Sequence, residues 1–167
     1  MHAVYIVAIL PKKGPTVIAL YPENTISFDE KFELSTKCMP MGGKEGDFSS
    51  IIFKDFQAVS YLTTTSPIEE KADPRDTIVS IGFLLDVYSN PIPYKDLLVE
   101  FVSKCKKDVS FNLSNLERII PEFLKLKTQK KIIISLDKKS SCEFELKKEI
   151  EEKDGLDLLE DALWGSK

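Results

Sequence analysis

Apolar residues occur along the chain in runs whose spacing predicts an antiparallel sheet followed by helices. The run at residues 78–85 is apolar or small at every position. Both of its faces should therefore be covered, as in the interior of a sheet. Gly82 within this run has no side chain to pack, which usually marks a bulge or the close approach of another backbone or helix.

Four other segments have strand-like patterns before this run. Residues 3–10 and 16–21 flank a turn rich in proline and lysine and predict a hairpin. Residues 47–53 and 56–64 predict an antiparallel pair joined at Lys54-Asp55. Two interpretations remain open between these pairs, at residues 25–46. Phe28, Phe32 and Leu34 could line one face of a short helix, whereas residues 32–35 alternate like a strand.

Two amphipathic helices are predicted after the last of these strands. The first begins at Pro93, and its apolar stripe faces the sheet. That stripe consists of Leu97, Leu98, Phe101, Val102 and Cys105. The second opens with Ser114 and Glu117, the spacing of a capping box, and extends to residue 127. Pro121 inside it predicts a kink or a restart, because proline removes a helical hydrogen bond.

The C-terminal part of the chain predicts a hairpin and a short amphipathic segment. Residues 131–136 and 142–146 alternate like paired strands, and residues 147–154 are a charged run typical of a solvated linker. Beyond it, four side chains would share one face of a helix, Leu156, Leu159, Leu163 and Trp164. This helix would either dock on the body of the protein or bind a partner protein. We therefore divide the chain into a domain at residues 1–146 and a segment at residues 147–167.

Composition narrows the classes of function. The chain has 167 residues and a net charge of −4, which argues against nucleic-acid binding because that needs a basic face. No apolar run approaches the roughly 20 residues that span a bilayer, and the first ten residues are interpreted as structure rather than a signal peptide. The three cysteines lack the spacing of metal ligands, which favours a reducing, cytoplasmic location without a metal.

The residues of the common catalytic sites are missing from the sequence. His2 is the only histidine, so neither a Ser-His-Asp triad nor a Cys-His dyad can form. A zinc site lacks ligands, and no cofactor motif is evident. We therefore expect the protein to act by contact with another macromolecule.

Arg75 is the most suggestive single residue. Among 23 basic residues only Arg75 and Arg118 are arginines. Arg75 directly follows Pro74 and lies shortly before the apolar run at residues 78–85. Proline keeps the preceding residue extended, so we expect Arg75 to be exposed on a mobile loop without a committed salt-bridge partner. The alternative is an ordinary surface ion pair with Asp73 or Asp76, worth about 0–1 kcal/mol.

Three stretches of the chain resemble one family of domains. They are the hairpin at residues 3–22, the arginine-led strand at residues 75–86, and the helix pair with Pro121 that leads into the hairpin at residues 132–146. In this order they resemble a longin domain. More narrowly, they resemble the N-terminal longin domains of the nitrogen permease regulator-like proteins of the GATOR complex, of folliculin and of the DENN group. The resemblance implies an α+β, profilin-like longin fold. That fold is a five-stranded antiparallel sheet flanked by helices, here with a C-terminal hairpin or helix extension.

The resemblance also implies a function in small-GTPase regulation. In the nitrogen permease regulator and folliculin branches, the arginine before the last sheet strand is an arginine finger for a Ras-like GTPase, and Arg75 occupies that place. A guanidinium can neutralise charge on the transferred phosphate, so the chain would act in trans as a GTPase-activating protein. Asp73 and Asp76 would assist binding, together with the apolar face of residues 156–164.

An alternative from another class is a non-catalytic scaffold in trafficking or assembly, which binds a GTPase, a longin or roadblock-type subunit, or a peptide. The chain departs from those families in lacking the large domains that follow their longin domain. We therefore expect it to need a partner subunit, a sister longin or a second copy of itself, and to reach membranes only peripherally, through such partners.

Overall fold

A five-stranded antiparallel sheet lies at the centre of the protein, and helices cover both of its faces. The computed structural model describes residues 1–68, 75–108 and 111–147. The elements in chain order are β1 (Ala3–Leu10), β2 (Gly14–Tyr21), α1 (Phe28–Lys37), β3 (Phe48–Ile52), β4 (Gln57–Thr65), β5 (Thr77–Leu85), α2 (Ile92–Asp108), α3 (Leu113–Ile119), a 3₁₀ helix (Ile120–Lys127), β6 (Lys131–Ser135) and β7 (Ser141–Glu145). This is a mixed α+β architecture, as the sequence predicts. The segment at residues 156–164 lies outside the described residues.

The sheet order β2-β1-β5-β4-β3 places β5 at the centre. It pairs with β1 on one side and with β4 on the other. Val79, Ile81 and Phe83 point to one face of the sheet, and Ser80 and Leu84 to the opposite face, and all five are buried. The prediction that this run lies in the interior of the sheet is confirmed.

The larger core lies between the sheet and the later helices. The predicted stripe of α2 is buried there as expected. The β6–β7 hairpin, a separate two-stranded sheet, closes this core from outside. Four aromatic rings pack edge to face or tilted, with centroids 4.9–5.9 Å apart. They are Phe83, Phe101, Phe123 and Phe144, so one ring each from β5, α2, the 3₁₀ helix and β7 joins four elements.

The segment with two interpretations forms helix α1, which covers the opposite face of the sheet. Ser27 and Glu30 form a capping box at its start, in which the Ser27 amide donates to the Glu30 carboxylate at 2.7 Å. The helix buries Leu34, whereas Phe28 and Phe32 are 82% and 70% exposed. Of the two open interpretations, the helix is the one that forms. Phe28 and Phe32 share its exposed face, whereas Leu34 lies on the face towards the sheet. The capping box fixes where the helix begins.

Helix α3 begins two residues earlier than the sequence suggests. Asn112 is its N-cap, and its side-chain oxygen accepts from the Asn115 amide at 2.9 Å. The predicted capping box of Ser114 and Glu117 is wrong, since Ser114 already lies in the first helical turn. The expected restart at Pro121 is confirmed, because α3 ends at Ile119 and the 3₁₀ helix follows with the proline in its first turn.

Gly82 leaves space that the Tyr5 ring fills. The two residues are opposite each other in the β1–β5 pair. A Cβ atom on Gly82 would lie 2.1 Å from the Val59 carbonyl oxygen and 2.4 Å from the Tyr5 ring. The close approach expected at this glycine is thus confirmed, and the approaching group is a side chain together with the backbone of β4.

The Tyr5 hydroxyl lies in a buried polar contact beneath α1. It donates to the Val59 carbonyl oxygen at 3.1 Å and lies 3.2 Å from Sγ of Cys38. Because the hydroxyl proton goes to Val59, the thiol donates in the second contact. Burial raises the pKa of Tyr5 well above its ordinary value and also raises the pKa of the Cys38 thiol. Both groups are therefore uncharged, and they tie β1 and β4 to the end of α1.

Replacing Gly82 should be among the most damaging single changes to this fold. We expect Gly82→Ala to lower the free energy of unfolding by about 3 kcal/mol or more, because backbone and ring must both move. Urea unfolding followed by far-UV circular dichroism measures this. Gly14→Ala is the control, since a Cβ there meets open space and only the positive φ costs energy, about 1–2 kcal/mol. Equal costs at the two glycines would contradict the packing argument.

Removing only the Tyr5 hydroxyl isolates the polar contact from the packing. We expect Tyr5→Phe to cost about 1–3 kcal/mol, because it leaves the buried Val59 carbonyl and Cys38 thiol without their partner. The same unfolding measurement on Tyr88→Phe serves as control. Tyr88 is exposed, so its change should stay within about 0.5 kcal/mol. A Tyr5→Phe protein as stable as the control would show that the contact contributes nothing.

Candidate functional site

Arg75 lies at one end of the central sheet, two residues before β5 begins. Since β1 runs antiparallel to β5, the end of β1 and the turn after it reach the same place. A cleft of about 310 Å³ lies there. It is lined by Ile9, Pro11, Ile68, Arg75, Asp76, Thr77 and Ile78. The site thus combines an exposed guanidinium with a small apolar surface.

The cleft has an apolar lining and a charged rim. Ile9 and Ile68 are large apolar side chains that are partly exposed here. Arg75 and Asp76 are exposed, which agrees with the sequence prediction for Arg75. Arg75 takes part in an interaction within the structure, and the expectation that it lacks a committed salt-bridge partner stays a prediction.

The other arginine has a different position and a structural contact. Arg118, in α3, donates from its guanidinium to the Ser135 carbonyl oxygen at 3.3 Å and also to the Leu136 carbonyl oxygen. These bonds fasten α3 to the end of β6. Of the two arginines, Arg75 is therefore the one that lines the cleft.

A polar contact holds the end of β4, from which the chain leads towards Arg75. The Glu45 carboxylate forms an ion pair with Lys106 of α2 and accepts from the Thr64 hydroxyl at 3.1 Å. One residue past β4, the Ser66 amide donates to the Phe111 carbonyl oxygen at 3.2 Å. The Lys106 ammonium holds the pKa of the Glu45 carboxyl below its ordinary value, and the Thr64 hydroxyl adds to this. The strand that leads to the site is thus fixed to α2 and to the start of α3.

The structure brings together only part of the predicted site. Arg75 and Asp76 line the same cleft, whereas Asp73 and the predicted apolar face at residues 156–164 lie outside the described residues. The sequence analysis missed Ile9 and Pro11, which line the cleft, and Glu45, which holds the end of β4. Their sequence signals are weak, because each depends on which strands become neighbours.

Across residues 1–68, 75–108 and 111–147, no group of three or more histidine, cysteine, aspartate or glutamate side chains could hold a metal ion. In the same part of the chain, no helix is both long enough and apolar enough to cross a membrane.

No protein-family model matches the chain, and no curated protein matches it significantly.

The contact at Glu45 predicts a pH-dependent contribution to stability. A carboxyl whose pKa is lowered on folding contributes stability at every pH above the pKa that it has in the unfolded chain. That contribution is lost as the pH falls through the lower pKa of the folded protein. Glu45→Gln should therefore lower the free energy of unfolding at pH 7. The loss should not exceed about 1 kcal/mol, because the pair is partly exposed.

Urea unfolding at pH 7 and again below the ordinary carboxyl value of 4.5 measures this contribution. The difference between wild type and Glu45→Gln should shrink at the lower pH. The exposed Glu23→Gln is the control and should stay within about 0.5 kcal/mol of wild type. A difference that is the same at both pH values would contradict the ion-pair account.

Proposed function

We propose that this protein is a longin-like regulator of a Ras-like small GTPase, with Arg75 as an arginine finger. The observation that carries the proposal is the position of Arg75, exposed beside an apolar cleft immediately before the last strand of a five-stranded antiparallel sheet. This arrangement of sheet, helices and arginine is the one that the resemblance to longin domains implies. The strand that follows Arg75 is buried from Val79 to Leu85 and is paired on both sides, which anchors the root of the finger.

The chemistry of a guanidinium suits this role. Charge develops on the phosphoryl oxygens during GTP hydrolysis, and a planar fork of donors neutralises it better than a single ammonium. Ile9, Ile68 and Ile78 supply apolar area that a bound GTPase would cover. Because Glu45 and Lys106 already hold the end of β4, less order has to be gained when the partner binds.

A second candidate is a non-catalytic scaffold that binds a GTPase, or a longin or roadblock-type subunit, without accelerating hydrolysis. Arg75 already takes part in an interaction within its own chain, and this favours the alternative. In either case we propose that the protein acts in the cytoplasm and associates with membranes only through its partners.

Single-turnover GTP hydrolysis separates the two candidates. The assay uses Ras-like GTPases from the same cell with wild type, Arg75→Lys and Arg75→Ala. For a true finger, both substitutions should lose about 10³-fold or more of the acceleration, although lysine keeps the charge. Binding of the GTPase should survive, because the finger acts mainly in the transition state.

Arg118→Lys is the matched control, since it makes the same chemical change at an arginine with a structural contact. It should lower the melting temperature slightly and leave the acceleration unchanged. Equal hydrolysis with wild type and Arg75→Lys, on a GTPase that binds, would refute the finger and leave the scaffold. If no GTPase binds, the finger fails, and the scaffold candidate keeps only a longin or roadblock-type subunit as its partner.

A further inference from the structure

A serine hydroxyl and the Arg75 guanidinium lie at the same end of the sheet. Thr65 and Thr77 are the last paired residues of β4 and β5 at this end. Ser66 comes one residue after Thr65, and Arg75 comes two residues before Thr77. Neighbouring strands are about 4.8 Å apart, so the long arginine side chain can reach a group on Ser66. Ile68, two residues beyond Ser66, lines the same cleft as Arg75.

The Ser66 hydroxyl is exposed and weakly held. The Ser66 amide donates to the Phe111 carbonyl oxygen at 3.2 Å, and the Ser66 hydroxyl donates to the same oxygen at 3.3 Å. The second distance exceeds the usual upper limit of about 3.0 Å for a hydroxyl donor, so that bond is weak. The backbone of Ser66 is therefore anchored by its amide, whereas its hydroxyl can turn towards solvent and react.

Pro67 sets this serine apart from the others. Ser66-Pro67 is the only Ser-Pro or Thr-Pro pair in the sequence. The proline ring keeps Ser66 in extended backbone, the form in which a segment can lie in a groove of another protein. Proline also lacks a backbone N–H, so it suits an enzyme whose groove has no acceptor at the position after the serine. Among protein kinases, the proline-directed class has this preference.

We propose that Ser66 is phosphorylated by a proline-directed protein kinase and that the new phosphate pairs with the Arg75 guanidinium. In the reaction, Oγ of Ser66 forms a bond to the γ-phosphorus of ATP while the bond from that phosphorus to the β–γ bridging oxygen breaks. The hydroxyl proton passes to the catalytic base of the kinase, and ADP leaves. The product has three strong acceptor oxygens and a charge of about −1.5 to −2 at pH 7.

Arg75 is the cation best suited to this phosphate. A planar guanidinium donates two parallel hydrogen bonds to phosphate, which a lysine ammonium cannot do. Lys106 also lies at this end, with its ammonium 5.6 Å from the centre of the Phe111 ring, but it already forms an ion pair with Glu45. The phosphate dianion, unlike the hydroxyl, has no hydrogen to donate to the Phe111 carbonyl oxygen. It therefore turns away from that oxygen and towards a cation.

Mass spectrometry of the whole chain after incubation with ATP and a cyclin-dependent kinase tests the modification. Ser66→Ala should lose about 90% or more of the phosphate uptake, because it lacks the accepting oxygen. Ser103→Ala is the matched control and should take up phosphate like wild type, since Ser103 is exposed on α2 but is followed by lysine. Pro67→Ala keeps the hydroxyl and should slow the uptake about tenfold or more. A wild type without uptake, or a Ser66 or Pro67 variant as fast as wild type, would overturn the proposal.

Phosphorus NMR of the phosphorylated chain tests the pairing. The second ionisation of phosphoserine has a pKa of about 6, and a contacting guanidinium should lower it to about 5.5 or below, because it favours the dianion. Asp76 and Glu45 would raise this pKa, and Lys106 would lower it. All three groups remain in phosphorylated Arg75→Gln, whose phosphate pKa should therefore return to about 6 or above. Arg118→Gln is the matched control and should keep the wild-type value. Equal phosphate pKa values in wild type and Arg75→Gln would overturn the pairing.

The pairing does not rest on the proposed GTPase function, but one consequence of it does. If Arg75 is an arginine finger, the phosphate withholds the guanidinium from GTP, and phosphorylation should lower the acceleration about 100-fold or more. Acceleration that phosphorylation leaves unchanged would overturn this regulation. An unphosphorylated protein that accelerates nothing would contradict the proposed function alone, because the phosphorus titration tests the pairing independently.

Discussion

The packing of Tyr5 over Gly82 is the constraint on which the rest of the structure depends. It requires β1 and β5 to be neighbours in one register, because only a glycine opposite the tyrosine leaves room for the ring. The same ring reaches β4 through the Val59 carbonyl oxygen and α1 through Cys38. A slip of one residue would turn every core side chain of β1 to the other face of the sheet. One side chain thus fixes three central strands and the helix that covers them.

This rigid centre also anchors the two strands that flank Arg75 in the chain, β4 and β5. Arg75 lies two residues before the central strand, and the end of β4 is held by Glu45 and Ser66. The Arg75 cleft therefore lies at an end of this sheet, where the start of β5 and the end of β1 are neighbours.

Local patterns predicted the elements of the fold better than they predicted the contacts. The two-sided apolar run marked β5, and proline marked the restart after α3, because both effects act over a few residues. Helix α1 could have been predicted from Ser27 and Glu30, a capping-box spacing present in the sequence. The Asn112 cap was missed, because Ser114 and Glu117 have the spacing of a capping box although Ser114 lies inside the helix. The Tyr5 contact and the cleft around Arg75 join distant segments, so they follow only once strand order and register are known.

The central claim concerns the transition state of a bound GTPase, and a transition-state mimic tests it most directly. The measurement is the affinity of wild type and Arg75→Lys for a Ras-like GTPase loaded with GDP and aluminium fluoride, compared with the same GTPase holding a non-hydrolysable GTP analogue. Transition-state analogues bind about 10²-fold or more tightly where a catalytic group contributes. The account predicts such a preference in wild type and its loss in Arg75→Lys. A wild-type protein that binds both nucleotide states equally would contradict it.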